Sequence, residues 1–254
     1  MNKLFLYSSL ILSTSVNSLA FATSSLTKTD SVEVMPSALV SLATTSLERG
    51  QSTVIADSNE NQAKQNLKQK LNKLMFFSAE FTQKILMESG EILQESKGFL
   101  ALKKPNSLYW ETYEPDELYI ISKDDDVWFY NPWIEEASVY NASIAAAQTP
   151  LLLLTNTDDV LWQQYNVVEQ VTTVTSETTF VISSKNSDSQ IKALTLTFKM
   201  NEQGETLSTF AFLDATGQTS LITLSKFNSN TQPDNTLFNF KLPEGVDIKD
   251  HRNN

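Results

Sequence analysis

The sequence contains no cysteine, one histidine and six glycines in 254 residues, and each shortage excludes a class of site. Without cysteine there is neither a disulfide nor an N-terminal lipid anchor, so an apolar core has to stabilise the fold. The single histidine, His251, lies in the polar run DHRNN, so no catalytic triad and no histidine-based zinc site is expected. Six scattered glycines form no phosphate-binding loop. The sequence therefore predicts a protein that is not an enzyme, without catalytic residues, metal or cofactor.

Positive charge is also scarce. There are 19 Lys and Arg against 30 Asp and Glu, which leaves a formal net charge of -11. Binding to phosphates needs clustered cations, so we expect no nucleic acid partner. The hydrophobic fraction of 41% and the four Trp suffice for the core of one sizeable domain or two small ones.

Residues 1–22, MNKLFLYSSLILSTSVNSLAFA, have the pattern of a cleaved secretory signal peptide. Lys3 precedes an apolar stretch, and a small-x-small site follows at Ala20 and Ala22. A membrane anchor is the alternative, but a spanning helix needs about 20 apolar residues, and this run is shorter and interrupted by serines. We therefore predict a protein that works outside the cytoplasm without stable insertion into a membrane.

The rest of the chain is predicted to consist of a polar linker and one folded domain. Residues 23–66 are rich in Ser, Thr, Asn and Gln and lack apolar periodicity, so a disordered linker is expected. Leu67, Leu71 and Leu74 then recur at helical spacing and predict a helix with one apolar stripe. From Phe76 onward the apolar residues alternate, so residues 67–254 are predicted to form an α+β domain with a large antiparallel sheet.

Individual strands follow from this alternation. They are expected near residues 76–84, 92–102, 108–113, 118–121, 127–130, 162–168, 179–183, 191–200, 207–212, 220–227 and 238–240. Residues 143–154, SIAAAQTPLLLL, interrupt the rhythm and predict a helical, leucine-rich insertion within the sheet.

Two groups of neighbouring carboxylates are the remaining candidates for chemistry, and the sequence supports neither as a site. Asp124, Asp125 and Asp126 are adjacent to one another, whereas a calcium-binding loop needs alternating ligands, so a solvated hairpin turn is the preferred interpretation. Glu135 and Glu136 are neighbours, and on a strand they would face opposite sides of the sheet, which excludes an acid/base pair.

The stretch KKPNSLYWETYEPDELYIIS, residues 103–122, raises the question of which strand face is buried. On a strand that starts at Leu108, the residues Leu108, Trp110 and Thr112 share one face. This apolar face is either ordinary core or the wall of a space that a wide, curved sheet leaves for a ligand.

Seven segments occur in one order: FSAEFTQ at 77–83, GFLALKKPNSLYWE at 98–111, PDELYIIS at 115–122, VWFYNP at 127–132, TPLLLL at 149–154, WQQYNV at 162–167 and FNFKLPEGVDIKD at 238–250. Together they resemble the LolA family, the periplasmic carriers that move lipoproteins from the inner to the outer membrane. The combination of K-x-P-N-x-x-x-W with W-F-Y-N-P is specific, and the resemblance extends over residues 67–252.

The resemblance implies a fold and a set of site residues. The fold would be an unclosed antiparallel β-barrel, a half-barrel, capped by a helical lid, with an apolar cavity for acyl chains between sheet and lid. Five residues match the positions that would line or close this cavity: Leu71, Leu108, Trp110, Leu151 and Leu154. At the position of Lys104 the family has Arg, whose planar fork bonds several lid carbonyls. A lysine would hold a closed lid less firmly, unless it is a solvated lysine at a strand end.

The resemblance also implies partners and a localisation. The cargo would be acylated lipoproteins, received in the periplasm from an inner-membrane ABC transporter of the LolCDE type and delivered to an outer-membrane receptor of the LolB type. The carrier is expected to be a monomer. A periplasmic lipid-sensing or regulatory module on the same fold is the alternative, whereas the receptor itself would need a lipidated cysteine, which this chain lacks.

Overall fold

A computed structural model describes residues 53–142, 145, 153–155, 159–172, 177–201 and 204–252. The helices delimited within these residues include α1 (Thr53–Lys73), α2 (Asp159–Trp162) and a 3-10 helix, Asn235–Phe238. Over these ranges, no helix has both the length and the apolar character needed to cross a bilayer.

In the described part of the chain, twelve strands form one large sheet. In the order β12-β6-β5-β4-β3-β2-β1-β11-β10-β9-β8-β7, all neighbours are antiparallel except β12 and β6, which are parallel. Because β7 and β12 are the two ends of this order, the sheet is unclosed, which confirms the predicted large antiparallel sheet. The strands are β1 (Phe76–Leu86), β2 (Ile92–Lys103), β3 (Ser107–Glu114), β4 (Leu118–Lys123), β5 (Asp126–Asn131), β6 (Glu136–Asn141), β7 (Tyr165–Thr172), β8 (Glu177–Ser184), β9 (Ile191–Asn201), β10 (Gly204–Asp214), β11 (Thr219–Asn228) and β12 (Asp247–Asp250).

Helix α1 packs against one face of the sheet, which we call the inner face. Its buried residues Ala63, Leu67 and Leu71 are spaced four apart, so they lie on one stripe of the helix. They join a large apolar cluster with residues from β1 to β11. The cluster includes Phe77, Phe81, Leu100, Leu102, Leu108, Trp110, Ile120, Phe129, Tyr140, Val167, Phe180, Leu196, Phe210 and Ile222.

The opposite, outer face of β2, β3 and β4 is also covered. Tyr109 is 8% exposed and packs with Ala101, Ile121 and Phe238 in a second, smaller cluster. The sequence analysis assigned one apolar face to this strand, whereas both faces of β3 are buried near its middle. The second cover comes from a segment far along the chain, which local alternation does not reveal.

That covering segment corrects one strand prediction. Residues 238–240 were expected to form a strand, but Phe238 ends the 3-10 helix. Asp234 caps this helix, because its carboxylate accepts a hydrogen bond from the Thr236 backbone N–H at 2.9 Å. Phe238 is buried by packing on the outer face, and it needs no strand partner for that.

The structure also differs from the prediction at the start of the domain. Residues 53–66, which the sequence analysis placed in a disordered linker, belong to α1. Their polar composition gave no apolar periodicity, although the small residue Ala63, flanked by polar residues, is buried and extends the stripe of Leu67 and Leu71 toward the N-terminus.

Three further differences concern the strands. The sequence analysis identified neither β6 nor β12, whose residues include acidic and small polar types that are depleted in strands. Trp162 was expected to begin a strand, but it ends α2, and β7 begins at Tyr165. Most of the predicted leucine-rich insertion at 143–154 lies outside the described residues.

Candidate functional site

The inner face brings together most of the residues that the sequence analysis singled out. Leu71, Leu108, Trp110 and Leu154 are all in the inner cluster, and none is more than 3% exposed. Leu151, the fifth predicted residue, lies outside the described residues. Whether these side chains line a cavity for acyl chains stays a prediction, because in this structure they pack against protein.

Trp110 lies where three strands contribute aromatic rings. Its ring centroid is 4.0 Å from that of Phe81 on β1 and 6.3 Å from that of Phe210 on β10. The indole Nε1–H donates a hydrogen bond of 3.1 Å to Thr112 Oγ1, two residues along the same strand. The polar part of Trp110 is therefore satisfied locally, and its rings are free to present an apolar surface.

Gly98 on β2 permits the close approach of Phe81 to this surface. A Cβ atom at Gly98 would lie 2.4 Å from the Phe81 ring and 2.0 Å from the backbone oxygen of Glu111. Neither distance is compatible with a side chain, so the absence of a Cβ lets the Phe81 ring lie against the sheet beside Trp110. This role of Gly98 depends on strand pairing and is not visible in the local sequence pattern.

Lys104, in the turn between β2 and β3, joins the sheet to the end of α1. Its Nζ donates a hydrogen bond of 2.6 Å to the backbone oxygen of Leu71, which also accepts the Leu74 N–H at 3.1 Å. The carbonyls in the last turn of a helix lack intrahelical partners, and a cation there is favourable. Burial lowers the pKa of Lys104 to about 8 from its usual 10.5.

Three more polar contacts hold the C-terminal half of α1. Lys70 Nζ lies 2.5 Å from Glu205 Oε1 on β10, and Lys68 pairs with Asp159 on α2. Asn66 Nδ2 donates to Glu169 Oε2 on β7 at 2.6 Å. Local sequence patterns do not reveal these contacts, because each joins residues that are far apart along the chain.

The carboxylates considered as a cation site form the β4–β5 turn. Asp124 and Asp125 are exposed there, and Asp124 has a φ of 56°, a conformation that Asp tolerates better than most residues. Asp126 pairs with Arg252 at 3.1 Å. No group of three or more potential metal-ligating side chains is found in the part of the chain that the structure describes.

Comparison with known proteins gives a consistent set of relatives. The family model described as outer membrane lipoprotein carrier protein LolA matches residues 72–241. An outer-membrane lipoprotein carrier protein of Aeromonas salmonicida is 34% identical over 190 residues, which cover 75% of this chain and 90% of that protein. One from Shewanella loihica is 36% identical over 186 residues, covering 73% of this chain and 85% of that protein.

Solved structures show more distant similarity. A DUF1329 family protein from Desulfovibrio piger has 13% sequence identity and a TM-score of 0.45, and the match covers 71% of this chain and 97% of that one. A likeness at this level carries no argument about function.

Proposed function

The chain belongs to the LolA family of outer membrane lipoprotein carrier proteins, and on this premise we propose that it carries acylated lipoproteins across the periplasm. Residues 1–22 would act as the signal peptide that directs its export. The carrier would receive lipoproteins from an inner-membrane ABC transporter and deliver them to an outer-membrane receptor.

The observation that carries this proposal is the buried apolar cluster between the inner face and α1. The sheet would act as a half-barrel, and α1 together with the segment around Leu154 would act as its lid. Acyl chains would then replace the lid side chains against Leu108 and Trp110. The same surface is thus buried by Leu71 and Leu154 in the empty carrier and by lipid in the loaded one.

Loading requires the lid to leave the inner face, and the polar contacts of α1 define what has to break. The bond of Lys104 to the Leu71 oxygen and the pair of Lys70 with Glu205 hold the helix from two sides. A partly exposed ion pair such as Lys70–Glu205 contributes only about 0.2–1 kcal/mol, and a hydrogen bond from a charged group such as that of Lys104 contributes about 1.5–3 kcal/mol. They can therefore be exchanged without a large barrier while the apolar contacts are replaced by lipid.

The size of the hydrophobic effect makes a carrier necessary. Each buried CH₂ contributes about 0.8 kcal/mol, so a lipoprotein with several acyl chains does not leave a membrane through water unaided. Extraction needs an outside source of energy, which the ABC transporter would supply. Transfer to the receptor would proceed down a gradient of affinity while the chains stay shielded.

The test is to incubate the purified chain with inner-membrane vesicles that contain the transporter and a newly made triacylated lipoprotein. We expect ATP-dependent appearance of the lipoprotein in the supernatant, bound to the chain. A folded chain that releases no lipoprotein from vesicles with an active cognate transporter would contradict the carrier function. That result would favour the lipid-sensing module, which binds lipid without transporting lipoproteins.

A further inference from the structure

The inner face contains a buried hydroxyl that makes no hydrogen bond. Ser138 on β6 is 0% exposed. Among the residues that the structure describes, its Oγ is the one buried side-chain polar atom without a partner. Buried polar groups in folded proteins are nearly always hydrogen-bonded, so an unpaired one calls for a physical explanation.

Strand pairing places this hydroxyl in a row with the predicted acyl-chain residues. Ser138 lies opposite Phe129 on β5, Phe129 opposite Ile120 on β4, and Ile120 opposite Trp110 on β3. Directly paired residues project from the same face of a sheet. Because Phe129, Ile120 and Trp110 all belong to the inner cluster, Ser138 also faces the inner side.

Other polar side chains on this face have partners within the protein. Thr112 accepts the indole N–H of Trp110 at 3.1 Å. Ser122, which lies opposite the inner-face residue Leu108, donates to the backbone oxygen of Asn106 at 3.0 Å. Ser122 is as deeply buried as Ser138, so the two serines differ in hydrogen bonding and not in burial.

Tyr140 is the polar neighbour of Ser138 along β6, on the same face. Burial raises the pKa of Tyr140, and its interaction with the Ser138 hydroxyl partly opposes this shift. No hydrogen bond of normal geometry satisfies Ser138 Oγ, however. The Tyr140 ring is positioned by Phe129 and His251, with centroid distances of 5.7 Å and 4.8 Å.

The surroundings of Ser138 define the chemistry of a ligand atom that would suit it. A neutral hydroxyl donor among apolar rings matches a neutral acceptor that arrives attached to alkyl chains. An anionic acceptor would bring an uncompensated charge into an apolar site, which is strongly unfavourable. Ester and amide carbonyls that join acyl chains to a glycerol or an amine have the required character.

We propose that Ser138 donates a hydrogen bond to an ester or amide carbonyl that links an acyl chain to the cargo. This inference rests on the proposed function, because it assumes that acyl chains occupy the inner face. The unpaired hydroxyl is unfavourable in the empty protein and becomes satisfied on loading. Ser138 thereby favours acylated ligands over plain hydrocarbon of the same length.

Two lipids that differ only at the linkage test this proposal. Dipalmitoylglycerol has ester carbonyls, and its dihexadecyl ether analogue has the same chain length but none. Their affinities are measured by displacement of diphenylhexatriene, an apolar fluorescent probe, from the wild-type chain, Ser138→Ala and the matched control Ser122→Ala. We expect Ser138→Ala to lower the preference for ester over ether about 2- to 10-fold, and Ser122→Ala to leave this ratio unchanged.

Measurements of thermal stability distinguish a role of Ser138 in binding from a role in folding. Removing an unpaired hydroxyl relieves a cost of folding, so the thermal midpoint of Ser138→Ala should equal or exceed that of the wild type. Ser122→Ala should lower it, because the Asn106 oxygen loses its donor. A Ser138→Ala variant that binds both lipids with the wild-type ratio, or that is destabilised like Ser122→Ala, overturns the assignment to Ser138 alone. If the wild-type chain binds neither lipid nor the probe, the proposed function fails and this inference fails with it.

Discussion

At the scale of single residues, the inner face depends on positions where one atom decides the packing. Gly98→Ala adds a methyl group where the Glu111 backbone oxygen would be 2.0 Å away. A backbone atom in the middle of a sheet has little room to move, so we expect the free energy of unfolding to fall by at least about 1 kcal/mol. Chemical denaturation of the wild type and Gly98→Ala measures this loss of stability. Equal denaturation midpoints would contradict the packing described for Phe81 and Trp110.

Lys104 should make the free energy of unfolding depend on pH in the alkaline range. Burial lowers its pKa to about 8 from its usual 10.5. Between these values the unfolded chain binds more protons at this site than the folded chain, so the contribution of Lys104 to the free energy of unfolding rises with pH. Below about pH 8, Lys104 is charged in the folded and the unfolded chain, so folding bears the full cost of burying that charge.

The corresponding variant is Lys104→Met, which removes the titrating group. As the pH is raised from about 7 to about 10, we expect the denaturation midpoint of the wild type to rise relative to that of Lys104→Met. Lys97→Met removes an exposed positive charge on β2 and serves as the control. Parallel stability curves for wild type and Lys104→Met across this range would show that burial of Lys104 has no such effect.

Replacing Lys104 with arginine should instead strengthen the attachment of α1 to the sheet. Lys104 reaches one carbonyl, that of Leu71, whereas the five donors of a guanidinium can bond more than one carbonyl at the end of a helix. We therefore expect Lys104→Arg to slow transfer of bound lipoprotein to the outer-membrane receptor. Equal transfer rates for the two proteins in a time course would rule this out.

The features of the inner face that could be predicted depend on local sequence patterns, and those that were missed depend on contacts between distant parts of the chain. The burial of Leu71, Leu108 and Trp110 was predictable because helical spacing and strand alternation are local patterns, whereas their place in an acyl-chain cavity came from the family resemblance and stays a prediction. The close approach at Gly98 and the unpaired hydroxyl of Ser138 depend on which strands become neighbours. Sequence patterns do not determine strand order, so these two features needed the structure.

At the scale of elements, α1 is attached to the sheet by contacts of unequal accessibility. The side chains of Lys70 and Glu205 are 20% and 29% exposed, whereas those of the Lys97–Glu114 pair, within the sheet, are 66% and 70% exposed. Water screens the exposed pair more strongly, so the two pairs should differ in coupling energy.

A double-mutant cycle on Lys70→Met and Glu205→Gln measures this difference. We expect a coupling energy of about 0.5–1 kcal/mol, together with faster hydrogen exchange of the α1 amides in each single variant. The same cycle on Lys97→Met and Glu114→Gln should give a coupling near zero. Equal coupling in both cycles would mean that the Lys70–Glu205 pair does not hold α1 in place.

The elements that sequence analysis missed share a dependence on distant partners. β12 is short and bears two aspartates and a lysine, and it forms a strand because the β6 edge is available for parallel pairing. Phe238 was predicted to lie in a strand because it precedes an alternating apolar run, yet it is buried by the outer face of β3 and β4. Long, strongly alternating strands such as β1 and β9 were predicted because their own residues specify them.

At the scale of the whole molecule, we propose that lipid and lid alternate on the same inner face. The lid should therefore be unable to stay closed while the carrier is loaded. Because the chain contains no cysteine, thiols introduced at chosen positions are the only ones in the protein. Lys70→Cys and Glu205→Cys place one on α1 and one on β10, where the side chains now meet.

The most direct measurement compares lipoprotein release by this double-cysteine protein in two states. In one state, a short thiol-reversible cross-linker joins the two cysteines, and in the other a reductant has removed it. With inner-membrane vesicles, transporter and ATP, we predict that the reduced protein takes up lipoprotein and the cross-linked protein does not. Equal release by the cross-linked and the reduced protein would contradict the account, because lipid would then bind without displacing α1.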